Sequence, residues 1–319
     1  MNGLITKYLS YVGGVKRYSS RTQALYREIL EEFEEFAAPE PLPEALCAPI
    51  IRSYEVHLLD DKGVGARTVG LHMSVLSGFC RWLVAQDKLQ SNPVRTLPRP
   101  KVEKRLPVFY REDSLDEYFG HTALYGSPEV LDLFTGKPGD KGDAQLYTRV
   151  LRRLIISILY GTGIRRSELI GLTRGSFDSH RKVLHVLGKG DKMREIPLAE
   201  SVCSDILLYL RVIDRMGIEV GGTGSPLLLT KAGGKLYPVF VDRAVKEELG
   251  GVPDITARKS PHVLRHTLAT ELLNEGTDIN SIKELLGHSS LAATQVYTHN
   301  SVEKLKNVYN KAHPRATKK

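Results

Sequence analysis

Cysteine is scarce: Cys47, Cys80 and Cys203 are the only three among 319 residues, and they lie far apart. An odd, scattered set offers no disulfide framework and no zinc cluster, and it fits a reducing cytoplasm. Long apolar runs are missing too. No stretch approaches the roughly 20 residues of a membrane helix, and the most apolar helix carries Arg152 and Arg153. The start, Met1-Asn2-Gly3-Leu4, lacks the hydrophobic core of a secretory signal. Acidic side chains are in deficit, 37 against 45 Lys and Arg, for a net charge of +8 and a pI near 9.2. The excess is uneven: +1 over residues 1–100 and +7 over the rest. A basic surface of this kind suits a polyanion such as nucleic acid. What is present, 41% hydrophobic and 26% charged residues, reads as a water-soluble globular chain with room for two domains.

Periodicity predicts an all-helical first domain over about residues 1–90. A helix over 20–38 places Leu25, Ile29, Phe33 and Phe36 on one face, while Glu28, Glu31, Glu32, Glu34 and Glu35 crowd the remainder. That acidic face suits solvent or a partner subunit, not a phosphate backbone. Further helices are predicted over 45–59 and 67–87, the latter using Val75, Phe79, Trp82 and Leu83. Ser91 to Pro107 reads as a linker. Pro93, Pro98, Pro100 and Pro107 favour extended chain, and Arg95, Arg99, Lys101, Lys104 and Arg105 face one acid, Glu103. It is either a solvated spacer or a basic strap along DNA.

The second domain, 108–319, is predicted to be mostly helical. Leu146–Tyr160 reads as a core helix, Lys182–Leu187 and Met193–Leu198 as two strands joined by Gly188-Lys189-Gly190-Asp191-Lys192, and Ser201–Met216 as a helix. Ser260-Pro261 opens another helix that Gly276 ends, and Asp278 opens a last one that Gly287 ends. The Gly-rich, polar stretch 120–143 reads as a surface insertion.

Several short motifs carry chemistry. Gly161-Thr162-Gly163-Ile164-Arg165-Arg166-Ser167-Glu168-Leu169 lacks the Lys-Ser/Thr ending of a phosphate-binding P-loop. Its glycines either let a phosphate approach, with Arg165 as clamp, or simply form a tight interhelix turn. His262-Val263-Leu264-Arg265-His266 puts His262 and Arg265 at i and i+3, on one helix face. The competing reading, a zinc pair of His262 and His266, lacks an intervening Glu and a third ligand. His288 follows the predicted helix end, and Tyr297 and His299 lie in Thr-Gln-Val-Tyr-Thr-His.

Together these motifs closely resemble the catalytic-domain pattern of the tyrosine recombinases, also called the phage-integrase family. Arg165, Lys189, His262, Arg265, His288 and Tyr297 stand in that family's order. The resemblance covers about residues 105–310. It implies a mainly α fold with a small β-sheet, arranged as a two-domain C-shaped clamp. A helical core-binding domain would precede the catalytic domain, and an exchange helix (about 301–313) would end it. The implied activity is site-specific recombination of double-stranded DNA. Tyr297 would be the nucleophile, leaving a 3′-phosphotyrosine and a free 5′-hydroxyl, with a Holliday junction as intermediate. Arg165 and Arg265 would grip the scissile phosphate, Lys189 (or Lys192) would protonate the leaving oxygen, and His262 and His288 would assist. Glu168 would buttress. No metal, ATP or other cofactor is implied; arginines take the place of divalent ions, and the motifs contain no carboxylate cluster.

The layout resembles Xer-like recombinases, because no arm-binding domain precedes the helical unit, but the segment 110–145 is longer than in compact Xer proteins. Integration or inversion of a mobile element therefore stays open beside chromosome-dimer resolution. The resemblance further implies a homo-tetramer on paired sites, with or without a second recombinase or accessory protein, in a bacterial cytoplasm at the nucleoid and away from membranes. The alternatives are a type IB topoisomerase, which cuts without strand exchange, and a DNA-binding protein without catalysis.

Overall fold

The computed structural model describes residues 3–98, 109–137, 139–188, 192–252, 255 and 258–287. The chain divides into two compact units, Met1–Arg105 and Leu106–Lys319. In the first, four helices enclose one core: α1 (Gly3–Gly14), α2 (Ser20–Ala37), α3 (Ala48–Val56) and α4 (Ala66–Val84). The first of them is not among the helices that periodicity predicts. Ile5, Tyr8, Leu9 and Val12 give it a buried stripe. Ser19 caps α2, its hydroxyl accepting the Thr22 N–H at 3.2 Å. That helix buries Ile29, Leu30, Phe33 and Ala37, while Leu25 is exposed; the apolar face is rotated toward Leu30 relative to the expected one. Val75, Phe79 and Leu83 are buried on α4 as the spacing requires, with Trp82 at the core's margin.

The expected linker does not begin as extended chain. Pro93–Thr96 form a 3₁₀ turn, and Val94 is buried in the first unit's core. Asn92 fixes the turn: its Oδ1 accepts the Val94 N–H, and its Nδ2 donates to the carbonyl and hydroxyl of Ser77, both at 3.0 Å. Apolar burial and side-chain hydrogen bonds outweigh the extended preference of proline here. Arg95 is exposed on this turn. Arg99, Lys101, Lys104 and Arg105 lie outside the described residues.

The second unit is built around α6 (Lys141–Thr162). Asp140 caps its start by accepting the Asp143 N–H, and Gly163, at φ 61°, ends it. From Ile155 to Thr162 every residue is buried, so this half has no polar face and must be covered on all sides. Covering elements are α5 (Glu112–His121), α7 (Arg166–Gly171), α8 (Glu200–Arg215), α9 (Pro238–Glu248), α10 (Pro261–Asn274) and α11 (Ile279–Leu286). One antiparallel sheet has the order β1 (Phe177–Asp178), β2 (Val183–Leu187), β3 (Met193–Pro197), with Leu187 opposite Met193. This is the mainly α fold with a small sheet that the motifs imply, with one short strand, β1, beyond the expected pair.

Ser260 occupies the N-cap of α10, but its side chain makes no capping bond; Pro261 supplies the start. Asp278 caps α11 through the N–H groups of Asn280 and Ser281. The stretch 120–143 is not a loose insertion. Val130 and Phe134 are buried in the main core, and the Asp143 carboxylate accepts hydrogen bonds from the Thr135 and Gly136 backbones and the Thr135 hydroxyl. Glycines and polar residues serve turns there, while two side chains enter the core. Replacing Phe134 with Ala should therefore destabilise the second unit by about 3–5 kcal/mol. Urea unfolding would report this as a lower midpoint at unchanged slope; an unchanged midpoint would mean that the segment is peripheral.

Candidate active site

Two helices end against each other. Gly163 closes α6 and Gly287, at φ 66°, closes α11. A Cβ on Gly163 would lie 2.6 Å from Leu286 Cδ2 and 3.1 Å from Leu268 Cδ2. Glycine is therefore required twice there, for the left-handed turn and for the close approach. The motif forms a tight interhelix turn.

Helix ends leave carbonyls without intrahelical partners, and three arginines take them. Arg265 Nη1 donates to the Gly163 carbonyl and its Nη2 to that of Leu286, each at 2.6 Å. Arg165 Nη2 donates to the Gly287 carbonyl at 3.1 Å, and Arg194 Nε to that of Leu285 at 3.2 Å. Carbonyls 285, 286 and 287 are thus each held by a different guanidinium. Positive side chains at a helix C-terminus also meet the negative end of its dipole.

Glu168, on α7 and buried, lies among these cations. Its Oε1 accepts from Arg165 Nη1 at 2.8 Å and Arg194 Nη1 at 3.2 Å; its Oε2 accepts from the Arg165 backbone N–H and Arg194 Nη2, both at 2.8 Å. The bond to the Arg165 N–H satisfies a backbone donor at the start of α7, where Arg165 stands at the N-cap. Burial on its own would raise the Glu168 carboxyl, but the Arg194 hydrogen bonds and then those of Arg165 hold it below the ordinary carboxylate value. It is an anion at neutral pH.

Three guanidinia against one carboxylate leave the described part of the pocket with two uncompensated positive charges. Arg265 is buried, and desolvation, followed by the charge of Arg165, lowers it to about 10. Arg165 keeps 33% of its side chain exposed. The arrangement is a preorganised cationic cluster, with Arg165 its partly exposed member, suited to an anion.

His262 stands in the first turn of α10, on the surface. Partial burial, then the positive charges of Arg166, His266 and Arg265, lower its pKa against the opposing pull of Asp242. Arg166 itself is paired with Asp242 across α7 and α9. His266 is exposed on the same helix. Lys192 is exposed just before β3, and the Gly188 N–H donates to its carbonyl at 2.8 Å, closing the hairpin. Lys189, His288, Tyr297 and His299 lie outside the described residues. Arg165, Glu168 and Arg265 are therefore brought together, and His262 lies within reach of their field.

Arg194 is absent from the residues that the motifs single out. The signal for it is strand alternation: Arg194 and Ile196 share the buried face of β3. A charged residue in a core register requires a buried partner.

Comparison with known proteins follows the same lines. Residues 143–304 match the model of the phage integrase family. The chain is 34% identical over 320 residues to a tyrosine recombinase XerC of Chlorobaculum parvum, covering 97% of this chain and 94% of that one. To XerC of Bacillus licheniformis it is 35% identical over 323 residues, covering 100% and 98%. Among solved structures it is similar to the Tn1549 transposon integrase in complex with transposon right end DNA, with a TM-score of 0.67 at 20% identity, covering 94% and 96%. A lambda integrase dimer bound to a core site gives a TM-score of 0.61 at 17% identity, covering 92% and 98%.

The His262 shift carries a sign that titration can check. Because the folded value is lowered, the unfolded chain takes up this proton first, so His262 disfavours the fold only as pH falls through about 6.5 and not above it. Imidazole resonances should titrate below that value, and Arg166→Gln should raise the midpoint. No response to Arg166→Gln would show that the Arg166 charge has no part in setting it.

Proposed function

The chain belongs to the phage integrase family and is a site-specific tyrosine recombinase acting on DNA; we propose that it cleaves each strand through Tyr297 at the Arg165–Arg265 pocket. The observation that carries this reading is the pair of guanidinia, Arg165 and Arg265, set by carbonyls and by Glu168 in a net cationic cluster from which Arg165 is partly exposed. A phosphodiester is the anion such a pocket fits. Negative charge grows on the non-bridging oxygens of a pentacoordinate phosphorus, and preorganised donors act most strongly there; one such donor is worth about 10²–10³ in rate.

In this reading the Tyr297 oxygen forms a bond to phosphorus as the bond to the 5′-oxygen breaks. The phenolic proton passes to neutral His262 or to solvent, and the 5′-oxygen gains one from Lys189. A phenol with a pKa near 10 is only about 10⁻³ ionised at pH 7, so the cationic pocket must favour the phenolate. Lys189, on the β2–β3 turn, supplies the proton to the leaving oxygen. His262, held neutral by its surroundings, assists transfer, and His288 donates to the phosphate. The energy of the broken phosphodiester is kept in the phosphotyrosine link, so rejoining needs no ATP, and no metal ion or cofactor enters the scheme.

The protein would work as a homo-tetramer on paired sites, its segment 301–313 docking on a neighbouring subunit, in the cytoplasm at the nucleoid. Val302, Leu305 and Val308 at i, i+3 and i+6 are the apolar positions that support such docking. The residues 1–90 would serve as the core-binding domain and 91–107 as a basic connection to the catalytic domain.

A nicked suicide substrate tests the chemistry. Covalent protein–DNA product should form in excess EDTA without ATP, and Tyr297→Phe should abolish it while leaving site binding nearly unchanged. A persistent covalent band in that variant would remove Tyr297 from its role. Deleting residues 301–319 should spare half-site binding but weaken cooperative binding to paired sites and junction formation. A truncated protein that recombines normally would show that docking of this segment is dispensable.

A further inference from the structure

We propose that Arg194 is a positioning residue for strand cleavage: one buried guanidinium fixes Arg165 through Glu168 and pins the backbone just before Lys189 and just before His288. This inference rests on the cleavage chemistry proposed above. Arg194 is no phosphate clamp. It is 6% exposed, and all three of its nitrogens are engaged, Nε by the Leu285 carbonyl and both Nη by Glu168.

Its surroundings give it a different task. Gly188 ends β2's run into the hairpin turn, and a Cβ there would lie 3.2 Å from Arg194 Nη1. Gly287 ends α11, and a Cβ there would lie 3.0 Å from the same Nη1 and 3.1 Å from Cζ. The guanidinium therefore packs against both glycines. Lys189 follows the first in the chain and His288 follows the second. A single planar group thus limits where two proposed catalytic residues leave their elements.

The link to Arg165 is electrostatic. Glu168 divides its four accepted bonds between Arg194 and Arg165. Without Arg194, the carboxylate would be left with one cation partner. Arg165 would then be drawn onto both carboxylate oxygens, and its Nη2 would leave the Gly287 carbonyl. Apolar side chains could fill both this strand position and that of Glu168, and buried ion pairs replaced as a whole in that way often lose no stability. Stability alone is therefore a poor reason for an arginine here; geometry is a sufficient one.

The test uses the full chain and a nicked duplex carrying its own recombination site, identified by sequencing DNA trapped on the protein in its host. Arg194→Met should slow single-turnover cleavage about 10²-fold, the scale of a misplacement near 1 Å, with half-site affinity within about threefold. It should also move the acid limb of the pH–rate profile upward, because Glu168 loses the donor that lowers its pKa most. Adding Glu168→Gln to Arg194→Met should abolish that shift. Arg194→Lys should restore the acid limb but not the rate, since one ammonium lacks the fork that reaches both Glu168 and Leu285. It also carries the test if the Met variant fails to fold. Wild-type rate and acid limb in either variant, or equal losses of binding and cleavage in Arg194→Lys, would overturn the inference alone. Absence of any covalent product from the wild-type protein would instead overturn the cleavage reading beneath it.

Discussion

Glu168 accepts four hydrogen bonds inside the second unit, two from Arg165 and two from Arg194, and the rest of the pocket depends on that sharing. Removing a charge from water costs several kcal/mol even after relaxation. Three arginines within one buried neighbourhood would be untenable without compensation. One fully satisfied carboxylate compensates part of that charge, and four backbone carbonyls, those of Gly163, Leu285, Leu286 and Gly287, accept hydrogen bonds from the guanidinia without adding a negative charge. Two positive charges stay uncompensated, which is the property that a DNA phosphate would use.

The carbonyls are available because of where the helices stop. An α-helix leaves its last carbonyls unbonded, and α6 and α11 end close enough for Leu286 to pack against Gly163. Glycine at both ends allows the left-handed turn without a steric penalty. Apolar packing thus places the helix ends, the ends place the arginines, and the arginines keep their orientation without a bound anion. Preorganisation of this kind avoids rearranging dipoles during the reaction.

Electrostatics then extends beyond the pocket. Burial and the charges of Arg166 and Arg265 help hold His262 below its ordinary value, so the imidazole is neutral near pH 7 and able to exchange a proton. Arg194 connects the hairpin and the end of α11 to the same carboxylate. The site behaves as one hydrogen-bonded unit, so the effects of substitutions within it should not add.

Much of this was legible in the residues themselves. The core helix, the β2–β3 hairpin, the caps of α11 and the pairing of Arg165 with Glu168 follow from local periodicity, turn chemistry and spacings of three or four residues. The motif order was sufficient to indicate the recombinase family. Other features depend on contacts between distant segments. The i, i+3, i+4, i+7 spacing of Ile5, Tyr8, Leu9 and Val12 does mark α1, but the Gly-rich look of 120–143 conceals Val130 and Phe134, whose burial only the assembled core shows. Likewise, no local pattern places Arg194 beside Glu168, 26 positions away, or Arg265 on the carbonyls of Gly163 and Leu286. Sequence fixes which groups can donate and accept; only tertiary packing decides which donors and acceptors meet, because a buried charge must take whatever partner the fold brings to it.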